Sequence, residues 1–298
     1  MEYIRNTFRM LVGWFTMGLS IWWGSTRMNK WVKKNKKEQN PNLYPFNERF
    51  EYLRKKSKGV TKRMGIIVKV EGLENIPKGG AWIVPNHTSN LDSIYLPIAF
   101  GGKTEIVPVA KESLNDKKIA GKYMRGIDAM FLDTDSPRQA LTLLTGAAQY
   151  AKTRNRSVVV FPEGTRSFTT ELLDFKNGTF KFPQKYFLPI IPVTITGTLQ
   201  AKKFFKFKSS IVTVNIHEPI KPINHSKKPT EVVGRQIKDI MQKTINKYEA
   251  SLSEKELDYL NKLKKQAIED MKKKEDKMAQ RKQKAKEKEA KEAAEVKK

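Results

Sequence analysis

Between about residues 64 and 225 the chain alternates short runs rich in Val and Ile with stretches of helical pattern, and that alternation leaves few folds open. Residues 64–70, 81–85, 105–110, 129–133, 157–161, 188–196 and 211–217 read as strands. The clearest intervening helix is 136–152. Ser136 is its N-cap, Pro137 its first helical residue, and Leu141, Leu144 and Ala148 share one face. A further helix over 230–250 follows the last strand. Strands that alternate with helices bury their faces in a layered α/β domain. The expectation is a mostly parallel central sheet of about seven strands flanked by helices, over residues 59–250.

The two ends differ from this middle. Residues 10–24 are fifteen uncharged, mostly large and apolar residues. As a helix they would span roughly 22 Å, short of the ~30 Å hydrocarbon core of a bilayer. Trp14, Trp22, Trp23 and Trp31 are four of the five tryptophans, and Trp favours the headgroup level. Gly13, Thr16, Ser20 and Gly24 form a small-residue stripe suited to close packing on another helix. No small-x-small cleavage site follows, which argues against a signal peptide. Residues 1–58 therefore read as a monotopic or single N-terminal membrane-anchoring helical segment, paired with a second helix within 27–58. Residues 251–298 are dominated by Lys, Glu, Ala and Gln, lack an apolar stripe, and read as a lysine-rich helical or disordered tail.

Charge supports the membrane reading. The chain carries 58 Lys and Arg against 31 Asp and Glu, a net +27, and residues 27–63 alone hold 13 basic and 3 acidic side chains. A basic run directly after an apolar segment favours the cytoplasmic face and an anionic membrane surface. A nucleic-acid-binding protein would be just as basic. It would also need aromatic and basic residues interleaved on a sheet or a recognised binding motif, and neither is present. With no cysteine and three scattered histidines, the sequence offers no thiol nucleophile and no zinc site, and no cofactor is expected.

Two strand-end motifs carry chemistry. The first, AWIVPNHTSNLD over 81–92, is an apolar strand ending at Pro85, with Asp92 five residues after His87. On one unbroken helix these side chains would lie about 140° apart. They can meet if His87 sits in a turn and a helix starts near Ser89 or Asn90, both good N-caps. A neutral imidazole can then take a proton from an attacking hydroxyl, while the carboxylate fixes the tautomer. The second motif, FPEGTRS over 161–167, follows the strand at 157–161. Gly164 allows close backbone approach to a ligand, Arg166 offers a planar fork for phosphate, and Glu163 can accept from a hydroxyl or from the arginine.

Together, in this order and at strand ends, the motifs resemble those of the glycerolipid acyltransferase family, most closely the bacterial 1-acylglycerol-3-phosphate acyltransferases. The resemblance covers roughly residues 60–220. Asn86, His87, Ser89 and Asp92 match NHxSxxD, and residues 161–167 match FPEGTRS in full. LPIIPVTI at 188–195 resembles the family's proline-containing apolar motif, and Phe175 to Gly178 its FKxG. The resemblance implies His87 as general base, with Asp92 orienting it. It implies that Glu163, Gly164, Thr165 and Arg166 hold the glycerol phosphate end of the acceptor. The acyl donor would be a thioester on coenzyme A or acyl carrier protein, and the acceptor lysophosphatidic acid, with glycerol-3-phosphate or another lysolipid as alternatives. One motif departs. Lys111 to Leu114 fit the family's KxSL, but Thr134 stands where an arginine is expected after the strand at 129–133. That leaves Lys111, Arg138 and Arg166 as phosphate ligands, with Arg125 further back.

Overall fold

The structure, a computed structural model, describes residues 2–201 and 210–295, with the side chains of residues 15–201, 210–273 and 276. All seven expected strands are present: β1 (Ile66–Glu71), β2 (Trp82–Pro85), β3 (Ile106–Lys111), β4 (Met130–Leu132), β5 (Ser157–Val159), β6 (Ile190–Thr196) and β7 (Ser210–Ile216). They form one sheet in the order β1-β7-β6-β2-β5-β3-β4. Every neighbouring pair is parallel except β6 and β7. The carboxyl ends of β2, β5, β3 and β4 therefore lie side by side on one edge. Ligands of open α/β sheets bind at such an edge.

The helices are α1 (Glu2–Lys37), α2 (Phe46–Arg63), α3 (Asp92–Phe100), α4 (Ala120–Gly126), α5 (Pro137–Arg154), α6 (Lys181–Lys185), α7 (Thr198–Ala201), α8 (Pro222–His225), α9 (Thr230–Ala250) and α10 (Glu254–Glu295). The sheet splits the core in two. On one side Ile83, Val107, Val159 and Ile191 pack with Phe46 and Phe50 of α2 and with Tyr95 and Phe100 of α3. On the other, Trp82, Val84 and Val158 pack with Ala147, Ala148 and Ala151 of α5 and with Val233, Ile237 and Met241 of α9. Helix α5 begins as the sequence indicated, the Ser136 side chain accepting from Gln139 N at 3.4 Å. Of its expected face, Ala148 and Leu144 pack on the core and Leu141 does not. Ala147, Ala148 and Ala151 touch the sheet, whereas Leu141 is 59 % exposed. Small residues let α5 lie close to β5, and Leu141 lies too near the helix start to reach the sheet.

At the amino end, the helix expected over 10–24 is the middle of a single 36-residue helix, about 54 Å long. Its small-residue stripe is used for packing at Ser20 and Gly24, whereas Thr16 is exposed. The Lys56 ammonium of α2 lies 3.3 Å from Ser20 Oγ, and a side chain at Gly24 would collide with the Tyr123 hydroxyl of α4. Tyr123 donates to Ile21 O at 3.0 Å, and Gly126 leaves room for Met28. Arg49 ties α2 to the end of α4 through Gly126 O at 2.6 Å and Asp128 at 2.8 Å. The surroundings of Gly13 and the side chain of Trp14 lie outside the described residues. Phe15, Leu19, Trp22 and Trp23 are exposed on the far side of α1. Among the described residues no helix is long and apolar enough to cross a membrane. At the other end the segment from 254 is the helix α10. It is held to the body by Leu260, fully buried, and by Lys264 donating to Glu249 at 2.8 Å.

Candidate active site

Strand β2 is buried at all four residues and ends at Pro85, whose missing N–H closes its hydrogen-bond ladder on that side. Asn86 continues the pairing with its side chain. Its Oδ1 accepts from Ile195 N at 2.7 Å and its Nδ2 donates to Ile195 O at 3.1 Å, so the amide acts as one more rung against β6. This fixes the point at which the chain leaves the sheet, and His87 follows.

The turn that brings His87 to Asp92 is organised chiefly by the carboxylate, and Ser89 adds a capping bond, its Oγ accepting from Leu91 N at 3.3 Å. Helix α3 starts at Asp92 itself, two to three residues later than the sequence suggested. Asp92 Oδ2 accepts from Thr88 N at 2.7 Å, Ser89 N at 2.6 Å and His87 Nδ1 at 3.0 Å. Three donors on one oxygen fold the five residues into a closed turn. A carboxylate at a helix start also gains from the helix dipole. Asp92 is fully buried, while the His87 side chain keeps 18 % of its surface. Because an ionised carboxylate only accepts, the shared proton sits on Nδ1. Nε2 is left with its lone pair, able to take a proton.

The second motif locks onto the first. Ser167 N donates to His87 O at 2.8 Å, and His87 N donates to Glu163 Oε1 at 2.7 Å. The Phe161 ring lies 4.2 Å from the imidazole, centroid to centroid. Gly164 has φ 69°, in the left-handed region that favours glycine, which turns the chain straight after β5.

A cleft of about 330 Å³, lined by both charged and apolar side chains, opens in front of this assembly. His87, Lys111, Thr134, Gly164, Thr165 and Arg166 all line it, so the structure brings most of the proposed residues together. Arg166 makes none of the ion pairs among the described residues. Its guanidinium lies 4.4 Å from the Phe168 ring centroid. Two residues fall elsewhere. Arg138 is exposed in the first turn of α5 and does not line the cleft. Glu163 is 3 % exposed and lies behind the cleft wall. Arg125 donates to Asn115 Oδ1 at 2.8 Å, within its own local turn.

Beside the cleft lies a second cavity of about 430 Å³, overwhelmingly apolar. The two share Asn90, Ser93, Pro108, Leu114, Met124 and Phe161 as a common wall. Ile21 of α1, Leu53 and Val60 of α2, and Ile119 and Met124 around α4 complete it. The sequence concealed this cavity because its lining comes from five separate segments, each looking like ordinary core. His87 thus lines the cleft, and the Phe161 ring against its imidazole is part of the wall shared with the apolar cavity. That is the geometry for a reaction at the boundary between a charged headgroup or thioester and a hydrocarbon chain.

Comparison with known proteins agrees with this chemistry. The family model described as Acyltransferase matches residues 67–196, which span the sheet from β1 to β6 and both motifs. The chain is 32 % identical over 224 residues to the probable 1-acyl-sn-glycerol-3-phosphate acyltransferase of Mycoplasma pneumoniae, covering 71 % of this chain and 83 % of that protein. It is 34 % identical over 186 residues to the 1-acyl-sn-glycerol-3-phosphate acyltransferase of Saccharomyces cerevisiae, covering 61 % of each. Among solved structures it is similar to the 1-acyl-sn-glycerophosphate (LPA) acyltransferase PlsC of Thermotoga maritima. That likeness has a TM-score of 0.62 and 27 % identity, covering 85 % of this chain and all of the other. The chain belongs to the acyltransferase family.

Proposed function

We propose that this enzyme transfers a fatty acyl group from a thioester to the free hydroxyl of 1-acyl-sn-glycerol-3-phosphate, making phosphatidic acid. The observation that carries the reading is the His87–Asp92 pair, whose imidazole lines a cleft that shares a wall with an apolar cavity. The named relatives act on the same acceptor.

In this mechanism His87 Nε2 removes the proton of the acceptor hydroxyl as its oxygen attacks the thioester carbonyl. Asp92 stabilises the imidazolium that results. Collapse of the tetrahedral intermediate breaks the C–S bond, and the departing thiolate recovers the proton from His87. Arg166 and Lys111 hold the phosphate of the acceptor, Arg166 through its planar fork and Lys111 as a point charge at the end of β3. Gly164 and Thr165 form the adjoining wall. The apolar cavity takes a fatty chain. Coenzyme A and acyl carrier protein both suit the basic surface as donors.

The enzyme works at a membrane in this reading, with residues 1–58 as a monotopic anchor on the cytoplasmic face, 59–250 as the catalytic domain and 251–298 as a charged tail. The outward side chains Phe15, Leu19, Trp22 and Trp23 support it, as do the basic residues of 27–63 beside them.

The deciding experiment offers the purified protein a labelled acyl thioester with lysophosphatidic acid or glycerol-3-phosphate and identifies the product. Phosphatidic acid is expected from the first; acylation of glycerol-3-phosphate alone would overturn the assignment. The phosphate ligands separate in the same assay. Arg166→Ala is expected to raise the acceptor KM at least tenfold and Lys111→Ala severalfold. Arg138→Ala should leave it within twofold, since Arg138 stands outside the cleft.

A further inference from the structure

The glutamate of the second motif sits where an acceptor ligand would not. Glu163 is buried and missing from the wall of the cleft, and both its oxygens are occupied. Oε1 accepts from the backbone N–H of His87 at 2.7 Å and Oε2 from that of Leu173 at 3.0 Å. The loop it belongs to is tied down again by Ser167 N to His87 O at 2.8 Å and by Lys176 N to Pro162 O at 2.7 Å. His87 is therefore gripped at both backbone atoms by the segment that also carries Arg166. We infer that Glu163 is a positioning residue: it straps the backbone of the base to the loop that holds the acceptor phosphate, and it does not itself bind the acceptor. The inference rests on the acyl-transfer reading above and refines how that site is set.

The chemistry of the strap explains why a carboxylate is used. Two N–H groups converge on it from opposite sides, so both of its ends must accept, and an ionised carboxylate is the side chain that does this. An amide would turn its NH2 toward one of the donors. Such a group is costly to keep. Burial is the largest influence on Glu163 and pushes it up to about 7, with Asp92 adding to the rise; the N–H groups of Leu173 and His87, together with Lys238 of α9, pull it back. The other charged or titratable groups around it are His87 on the turn and Arg166, Asp174 and Lys176 on the loop. Asp174 is paired to Lys238 at 3.0 Å.

The sign follows from linkage. A carboxyl whose folded pKa is raised contributes most to stability when protonated. That contribution falls as pH rises from the ordinary 4.5 through about 7. The strap is tightest in the opposite range, above 7, where the ionised form accepts most strongly. Stability is thus given up in the range where the base is held best, as expected of a group kept for activity.

The test compares the full-length wild type with Glu163→Gln, Glu163→Ala and Arg166→Ala, using labelled palmitoyl-CoA and lysophosphatidic acid between pH 5.5 and 9. Glu163→Gln is expected to lower kcat about 10- to 100-fold, with the acceptor KM within twofold. In the wild type kcat should take an added fall as Glu163 is protonated near pH 7, a step absent from Glu163→Gln. Arg166→Ala should do the reverse, raising KM with kcat largely kept. Hydrogen exchange followed by mass spectrometry gives a readout free of activity. The amides of His87 and Leu173 should exchange at least tenfold faster in Glu163→Ala while those of β5 stay protected. Should the alanine variant not fold, the glutamine variant is expected to lose protection at one of the two. A tenfold rise in acceptor KM with kcat retained in Glu163→Gln, or unchanged protection at both amides, would overturn the inference. A wild type that acylates some other acceptor would sink the proposed function, leaving the exchange measurement to decide the strap.

Discussion

His87→Ala is expected to lower kcat for acyl transfer by about 10³ or more, with the acceptor KM nearly unchanged and the protein folded. General-base removal of a hydroxyl proton contributes roughly 10²–10⁴ in rate. In this site no second base is in place, since Asp92 is fully buried with Oδ2 committed to three donors and Glu163 lies behind the wall. The fold should survive. The imidazole is partly exposed, and the two backbone bonds that seat residue 87, to Glu163 and Ser167, do not involve its side chain. A steady-state assay beside a circular-dichroism melt checks both halves. Turnover within tenfold of wild type in a folded His87→Ala protein would remove the histidine from the mechanism.

Replacing Trp22 and Trp23 together by Lys is expected to make the enzyme's hold on anionic vesicles salt-sensitive. The two rings are 49 % and 66 % exposed, pack edge to face on each other, and project from the side of α1 that faces away from the sheet. The substitution should therefore cost little in folding and much in lipid affinity, since surface binding scales with the apolar area buried in the interface. It also adds two positive charges, which strengthens attraction to anionic lipid. Salt separates these contributions, because the charge part is screened over about 10 Å at 0.1 M and the apolar part is not. Wild type is expected to stay with anionic vesicles through a high-salt wash, and the double variant to bind at low salt and come off at high salt. Activity on vesicle-embedded acceptor should fall with binding, and activity on a short-chain soluble acceptor should persist. A wild type released by salt alone would mean that α1 is only a packing helix.

The sheet was legible because β-branched runs were punctuated by Pro85, Pro162 and the residues after each strand, and every strand lay within about two residues of its expected position at either end. The order of strands was not, since nothing local in Ile66 announces that its partner is Ser210. The His87–Asp92 pair was legible as a spacing. The device that closes it is shared: Ser89 caps Leu91 N as its residue type suggests, while the carboxylate of Asp92 gathers the backbone donors of Thr88 and Ser89, which no spacing announces. Arg166 and Lys111 were found from residue type and strand ends. Glu163 looked the same on those grounds, and only burial separates it from them. Likewise Leu141 fitted the periodicity of α5 but sits too close to its amino end to meet the sheet. Helical pattern tells which way a side chain points around its axis and nothing of what stands opposite.

The pairing of β1 with β7 bears on how the chain is made. Synthesis delivers Ile66–Glu71 early, yet the strand that hydrogen-bonds to it begins at Ser210, after the other five strands have been laid down. Contacts so distant along the chain form slowly, because loop closure must come first. Throughout that interval β1 is an open edge beside two helices with apolar faces, a combination that invites aggregation. A nascent chain whose α1 had already settled on a lipid surface would wait with that edge tethered and out of reach of other chains. The segment read here as an anchor for the finished enzyme would then also serve as a nursery for the unfinished one.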